Sequence, residues 1–371
     1  MSSKNISYKE HKSSVPLADL LNHTNERLLL ATACHKQVLG GSPDLPLVIE
    51  TDYKAGWDSA SGQSVYKQKF ETEEGEEKFV PESLLSTCIV PLRFRCQGQV
   101  LWENPVPQGA NFCRPLRLAF EKESDENAMA IKMDLDNQVK SLTEHETEVD
   151  GHLVTFKSCV HTTMLDGKAK NAASGHKSTL SCFICKAKPN DFNNLENFTS
   201  GKFVENLAFL LFGLSPMHLW IKILELILYI GSKKETERWR KSKALGDEET
   251  IKARKTAIQQ ELKARLGLLV DMPRQGGSGN SNDGNTARRL FQNSAVFAEV
   301  TGVSKELIDH LHILLCTINC DHQIDADKFA SYCLETAQLY VSLYNWYKMP
   351  VSLHVLLFHG PSYLKMIDWL F

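Results

Sequence analysis

Leucines recur at helical spacing through residues 16–38, PLADLLNHTNERLLLATACHKQV, and Gly40-Gly41-Ser42-Pro43 closes the run, which predicts a helix. The polar stretch before it, residues 1–15, predicts disorder. From residue 45 the pattern changes to short apolar and β-branched runs. LPLVIETDY (45–53), SVYKQKFE (64–71), LLSTCIVPLRFRC (84–96), CRPLRLAFE (113–121) and HLVTFKSCVHTTML (152–165) each read as a strand. The acidic run 71–77 reads as a solvated loop, and residues 124–142 return to helical spacing. Beyond residue 200 the pattern is almost wholly helical. Residues 203–231 are apolar, 232–265 charged, and 326–348 and 350–359 apolar again, with a Gly-rich break at 274–286. The most apolar run, Leu219–Ile230, is too short to span a bilayer and carries Lys222 and Glu225, so it reads as a core helix rather than a membrane segment.

Three strands, a loop, then strand, helix and strand predict an α/β (α+β) fold with a mixed sheet, in the order of a ribonuclease-H-like core. The expected organisation is a tail and pre-core helix (1–44), that core (45–170), a Cys-x-x-Cys knuckle (171–202) and a helical domain (203–371). The 371 residues are 42% hydrophobic and 23% charged, with a formal net charge of −3. That is an ordinary globular composition, and it excludes a globally basic nucleic-acid binder, so any DNA contact must come from local patches. Ten cysteines are spread thinly and no apolar secretory segment opens the chain, which argues against a disulfide framework.

One cysteine pair is close: Cys182 and Cys185 in TLSCFICKAKPN. Two thiolates are half of a tetrahedral zinc site. The best downstream partners are His354 and His359 in SLHVLLFHG, within the spacing zinc favours. Four protein ligands leave no open position, so the expected role is structural, clipping the strand-rich half to the helical half. A Cys-x-x-Cys with distant histidines is a weak signal by spacing alone. A rival set is Cys316, Cys320 and His322 in CTINCDH, although the first two read as core thiols on one helical face. His310 and His312 read as exposed.

Five stretches together resemble the catalytic core of the V(D)J recombination-activating protein 1 and Transib transposase (RAG-like) family. They are WDSASGQSVYKQKF (57–70), NFCRPLRLAFEKESDE (111–126), TMLDGKAKNAASGHKSTLSCFICKAKP (163–189), SNDGNTARRLF (281–291) and ETAQLYVSLYNWYKMPVSLHVLLFHG (335–360). The resemblance implies a DDE-type DNA recombinase: a ribonuclease-H-like core with a helical zinc-binding insertion, whose zinc ligands fall on Cys182, Cys185, His354 and His359. It also implies three carboxylates holding two Mg²⁺ or Mn²⁺ ions for in-line phosphoryl transfer. DNA, a homodimer or a second recombinase subunit, and the nucleus are the implied partners and location. No membrane partner is expected.

The first catalytic carboxylate implied is Asp58, read at the turn after the first strand. At the second, Lys122 stands where the family has its Asp, leaving Glu123 and Asp166 as replacements. Glu123 is expected to alternate to the other face of the strand. Asp166 closes the fifth strand, expected beside the fourth, so Asp58 and Asp166 are the expected pair. The family's last Glu has no counterpart in GPSYLKMIDWLF after His359, where Asp368 is the one carboxylate. The expectation is therefore a chain truncated at both ends, with an impaired active site. The alternatives are an active two-metal endonuclease completed by a longer isoform or partner, and a non-enzymatic zinc scaffold. The matching DNA-contact segment places Asn285, Arg288 and Arg289 at a helix start, against a plain capped helix with solvated arginines. Segment 233–265 holds eleven basic and six acidic side chains, an excess of +5. It reads as a solvated helix laced with ion pairs or as a DNA-facing surface, and Lys233–Lys243 also fits a nuclear address.

Overall fold

The computed structural model describes residues 6–9, 11–34, 36, 47–61, 83–242, 245–272, 281–320 and 322–370. The strand expected at 64–71 and the acidic loop at 71–77 lie outside these residues. The chain divides into two compact units, 1–175 and 176–371. Together they make a mixed α/β protein.

The first unit is built on a mixed sheet of eight strands: β1 (Ser7–Lys9), β2 (Lys12–Ser14), β3 (Leu47–Ser61), β4 (Ser83–Cys96), β5 (Gln99–Glu103), β6 (Arg114–Ala119), β7 (His145–Val149) and β8 (His152–Met164). The order is β1-β2-β6-β4-β3-β8-β7, with β5 on β4. β3 is central, antiparallel to β4 and parallel to β8. Two expectations fail here. Within the stretch read as disordered, β1 and β2 form a hairpin that extends the sheet beyond β6, a tertiary pairing that the polar composition does not announce. Nor does β8 lie beside β6, because β4 and β3 separate them.

Side-chain alternation gives the sheet two faces. On one, α1 (Leu17–Thr32) and α2 (Asp125–Lys140) close the core. Leu17, Leu20 and Leu21 of α1 and Leu135 of α2 pack with Tyr53, Ala55, Ile89, Leu116 and Val160. Further along, Leu28 and Leu29 meet Ile49, Phe94, Val154 and Phe156. Tyr53 is fully buried and its hydroxyl donates to Asn25 Oδ1 at 2.6 Å, so the one polar atom it carries inside is satisfied. Ser124 caps α2 by accepting from the Asn127 amide. The last parallel pair, Gly56 with Met164, brings β3 and β8 so close that a Cβ on residue 56 would stand 2.0 Å from the Met164 carbonyl oxygen. A short helix, α3 (Gly167–Ala173), follows β8.

The second unit is helical: α4 (Glu196–Thr199), α5 (Leu207–Leu210), α6 (Pro216–Lys233), α7 (Asp247–Leu266), α8 (Gly284–Gln292), α9 (Ser294–Thr301), α10 (Lys305–Thr317), α11 (Ala326–Tyr344), α12 (Val351–His354) and α13 (Gly360–Leu370). The apolar run read as a core helix is α6. It is apolar nearly all round, with Ile223, Leu224, Ile227 and Ile230 fully buried, and α7 to α10 and α12 all pack on it. No helix among the described residues is long and apolar enough to cross a membrane.

Candidate metal centre and carboxylate cluster

Cys182 and Cys185 sit on a knuckle closed by two backbone bonds: Lys186 N–H to Cys182 O at 2.8 Å and Cys182 N–H to Ala187 O at 2.9 Å. The turn requires a left-handed residue just after the second cysteine, and Lys186 takes it at φ 64°. Both cysteines are buried.

The histidines come from the other end of the unit. Residues five apart on an α-helix are rotated by about 140° and face different ways. Between α12 and α13, however, Val355–His359 forms a π-helical turn, in which Gly360 N–H donates to Val355 O. A ring closed from i to i+5 sets residues five apart above one another. His354 and His359 therefore share a face, with their Nε2 atoms 3.2 Å apart. Pro361 follows at once. It has no N–H to continue the α-helical ladder, which favours the wider turn before it.

Cys182 Sγ lies 3.4 Å from His359 Nε2 and Cys185 Sγ 3.4 Å from His354 Nε2. All four donor atoms fall within 4.8 Å of one another, and all four residues are buried. Around tetrahedral zinc, with bonds of about 2.3 Å to sulfur and 2.0–2.1 Å to nitrogen, the S–N edge is about 3.6 Å and the N–N edge about 3.3 Å. The donor set and its spacing fit a metal ion such as zinc. All four ligands belong to the second unit. A metal held there would tie that unit's first knuckle to its last helices; it would not join the strand-rich half to the helical half, as the sequence had suggested.

The two histidines are held differently. His359 Nδ1 is 2.5 Å from Glu205 Oε1, the carboxylate partner that orients a metal-binding imidazole. Nothing in the sequence pattern marked Glu205. His354 instead stacks on Phe192 at 4.4 Å and packs against Phe198 and Phe358. Burial lowers the pKa of His354, keeping it neutral as a ligand must be. For His359 burial acts the same way, but Cys185 and Glu205 outweigh it and raise the pKa. The Cys182 thiol, against burial and with help from both histidines, holds Cys185 well below the ordinary thiol range, while Cys182 is raised.

Among the described residues the rival set does not gather. Cys316 and Cys320 are exposed rather than core thiols. The buried stripe of α10 runs through Leu307, Ile308, Leu311, Leu314 and Leu315, and Cys316 falls off it. His322 is exposed. His310 and His312 are partly buried, not exposed. His310 stacks on Tyr332 at 4.7 Å, and His312 packs edge-on with Trp220 and tilted against Phe291.

In the first unit, Asp58 is exposed and lies inside β3, not at a turn, because pairing with β4 continues to Ser61. It is two residues past Gly56, and Asp166 is two residues past Met164, so the two stand at the same end of adjacent parallel strands. Asp166 caps α3 by accepting from the Ala169 amide at 2.6 Å. Glu123 lies in the loop after β6, where strand alternation does not apply. Burial first, then the neighbouring Asp166 and Asp58, raise its pKa against the pull of Lys168, whose Nζ is 3.5 Å from Glu123 Oε2 and 3.1 Å from its carbonyl. Three carboxylates thus share one neighbourhood, with a lysine at its edge. Lys122 is exposed in the same loop, and the Asp368 side chain lies outside what is described.

Asn285 and Arg289 are exposed and, four apart on α8, share a face. Arg288 is partly buried, its guanidinium 5.4 Å from the Trp220 ring. The helix start is already capped by the Asp283 carboxylate, which accepts from Thr286 N–H at 2.7 Å, so it is less inviting to phosphate than its sequence suggests. Many basic residues of segment 233–265 hold the unit together: Lys233 to Trp239 O, Arg238 to Asp247, Arg254 to Val300 O, Lys255 to Asp271 and Arg265 to Glu299.

No known family and no characterised protein matches the chain.

Proposed function

We propose that this protein is a DNA-binding relative of the RAG-like and Transib recombinases, with a ribonuclease-H-like first unit and a structural zinc centre in the second. The observation that carries the reading is the gathering of Cys182, Cys185, His354 and His359. These are the residues the resemblance picks out, and they come together from segments more than 160 residues apart in sequence. The strand order β6-β4-β3-β8, with β8 parallel to central β3 and α2 after β6, supports the first part. When bound, zinc would supply a closed four-ligand crosslink and no open position for chemistry.

Asp58 and Asp166 are the pair that would hold Mg²⁺ or Mn²⁺, hard cations that prefer oxygen. Lys168 beside Glu123 opposes a cation there, so strand cleavage by this chain alone is impaired in this reading. Asn285 and Arg289 would meet the DNA backbone, and a homodimer or second recombinase subunit in the nucleus would bring two DNA ends together.

The test is duplex DNA binding by fluorescence anisotropy across a salt series. Affinity should fall linearly on a log–log plot, and Arg289→Ala should reduce the slope by about one. Absence of DNA binding at low salt would leave only a zinc scaffold. Mn²⁺-dependent nicking lost in Asp58→Ala would instead make the chain an active endonuclease. Divalent-ion binding should be lost in Asp166→Ala and kept in Glu123→Ala; the reverse assigns the second ligand to Glu123.

A further inference from the structure

The sheet face opposite α1 and α2 carries a second group of metal-competent side chains. Asp52 of β3 is the register partner of Cys159 on β8, and His161 follows two residues later on the same side. The Asp52 carboxylate, the Cys159 sulfur and a His161 ring nitrogen lie within 4.8 Å of one another. Cys159 Sγ and His161 Nε2 are 3.4 Å apart, near the S–N edge of about 3.6 Å around tetrahedral zinc. Asp52 is almost completely buried and clamped by Arg93 Nε at 3.0 Å and Arg95 Nη2 at 3.1 Å, while Cys159 is exposed.

The geometry points to a second metal site, in which Asp52, Cys159 and His161 bind one divalent transition ion and leave a coordination position open to solvent. A thiolate and an imidazole select a borderline-soft ion such as zinc or cobalt and discriminate against Mg²⁺ and Ca²⁺. This sets the site apart from the Asp58 and Asp166 carboxylates. On binding, the Cys159 thiol gives its proton to solvent. The double positive charge then meets one thiolate and one carboxylate, the latter already paired with Arg93 and Arg95, so the thiolate and imidazole bonds must carry the affinity. The facing cations are Arg93 and Arg95 on β4 and Lys54 on β3, the register partner of His161. The two arginines hold Asp52 in place as hydrogen-bond donors behind the ligand. Burial, with both arginines and against Asp52, also lowers the His161 pKa, which favours the neutral imidazole.

The experiment uses the full chain carrying one equivalent of zinc, with Mg²⁺ in excess to fill the Asp58 and Asp166 carboxylates, titrated with Co²⁺. One further equivalent should bind and give a thiolate-to-cobalt charge-transfer band. Cys159→Ser should abolish that band. His161→Ala should weaken Co²⁺ binding by more than the roughly 10–100-fold that loss of a residue behind a ligand costs. Excess Mg²⁺ should not displace the cobalt. A second equivalent that fails to bind, a band that survives Cys159→Ser, or displacement by Mg²⁺ would each overturn the proposal. Cys159 is exposed, so its serine variant is expected to fold and decides the matter even where His161→Ala does not.

Discussion

His354 and His359 present their Nε2 atoms to each other at 3.2 Å across a single π-helical turn. Two buried imidazole nitrogens and two buried sulfurs facing one point are a donor set that a single metal ion could satisfy at once. The π turn is the local irregularity that brings the two imidazoles to that point.

Metal removal should loosen the second unit first. With a strong chelator, the knuckle at 182–187 and the turn at 355–359 should lose hydrogen-exchange protection, while the sheet of the first unit keeps its own. His359→Ala should give the same pattern without chelator. Exchange measured by mass spectrometry, with and without zinc, checks both. Equal protection in the two states would count against a structural ion.

Glu205→Gln should keep the metal but hold it less well. The amide oxygen still accepts from His359 Nδ1, yet it no longer carries the charge that strengthens the imidazole as a ligand. The expected loss is about 10–100-fold in affinity, read by competition with a chromophoric chelator.

Gly56→Ala should be severely destabilising for its size. The added Cβ would meet the Met164 carbonyl at 2.0 Å, and that atom belongs to a paired backbone that cannot step aside. Overpacking costs roughly 1–3 kcal/mol, and this site belongs at the upper end or beyond. Thermal unfolding of the variant, compared with Gly98→Ala, which meets nothing within 4 Å but sits at φ 78°, separates the clash from simple backbone strain.

Lys170 makes the stability depend on pH. Burial lowers its pKa from 10.5 to about 8, against the opposing pull of Asp166. Below pH 8 the lysine is charged in both states and the burial cost is fully present. Between about 8 and 10.5 the native state gives up the proton first, so this group's contribution to stability rises with pH. The span corresponds to about 3 kcal/mol at most. Lys170→Met should therefore raise the melting temperature at pH 7 and flatten the rise between pH 8 and 10. An unchanged slope would place the titration elsewhere.

Much of this was legible because periodicity is local. The strands at 84–96, 113–121 and 152–165 follow from apolar spacing and appear as β4, β6 and β8 within a few residues, while the helix expected at 16–38 appears as α1 but stops at Thr32, where Ala33 turns left-handed. Partners are not local. The hairpin of β1 and β2 exists because β6 offers an edge, and Asp58 lies in a strand because β4 pairs beyond it. The cluster of Cys182, Cys185, His354 and His359 was readable because Cys-x-x-Cys and a spaced histidine pair are chemically distinctive. Glu205 was not, since one glutamate in ENLAF resembles any other until His359 is folded against it. The Asp52, Cys159 and His161 group was hidden for the same reason, as its first member reaches the others only through strand register.

The most direct test is zinc K-edge X-ray absorption on the purified protein carrying one equivalent of zinc. The structure calls for two sulfur neighbours at about 2.3 Å and two imidazole nitrogens at about 2.0–2.1 Å, with no water bound. A shell dominated by oxygen, or one that keeps both sulfurs in Cys185→Ser, would contradict a centre built from Cys182, Cys185, His354 and His359.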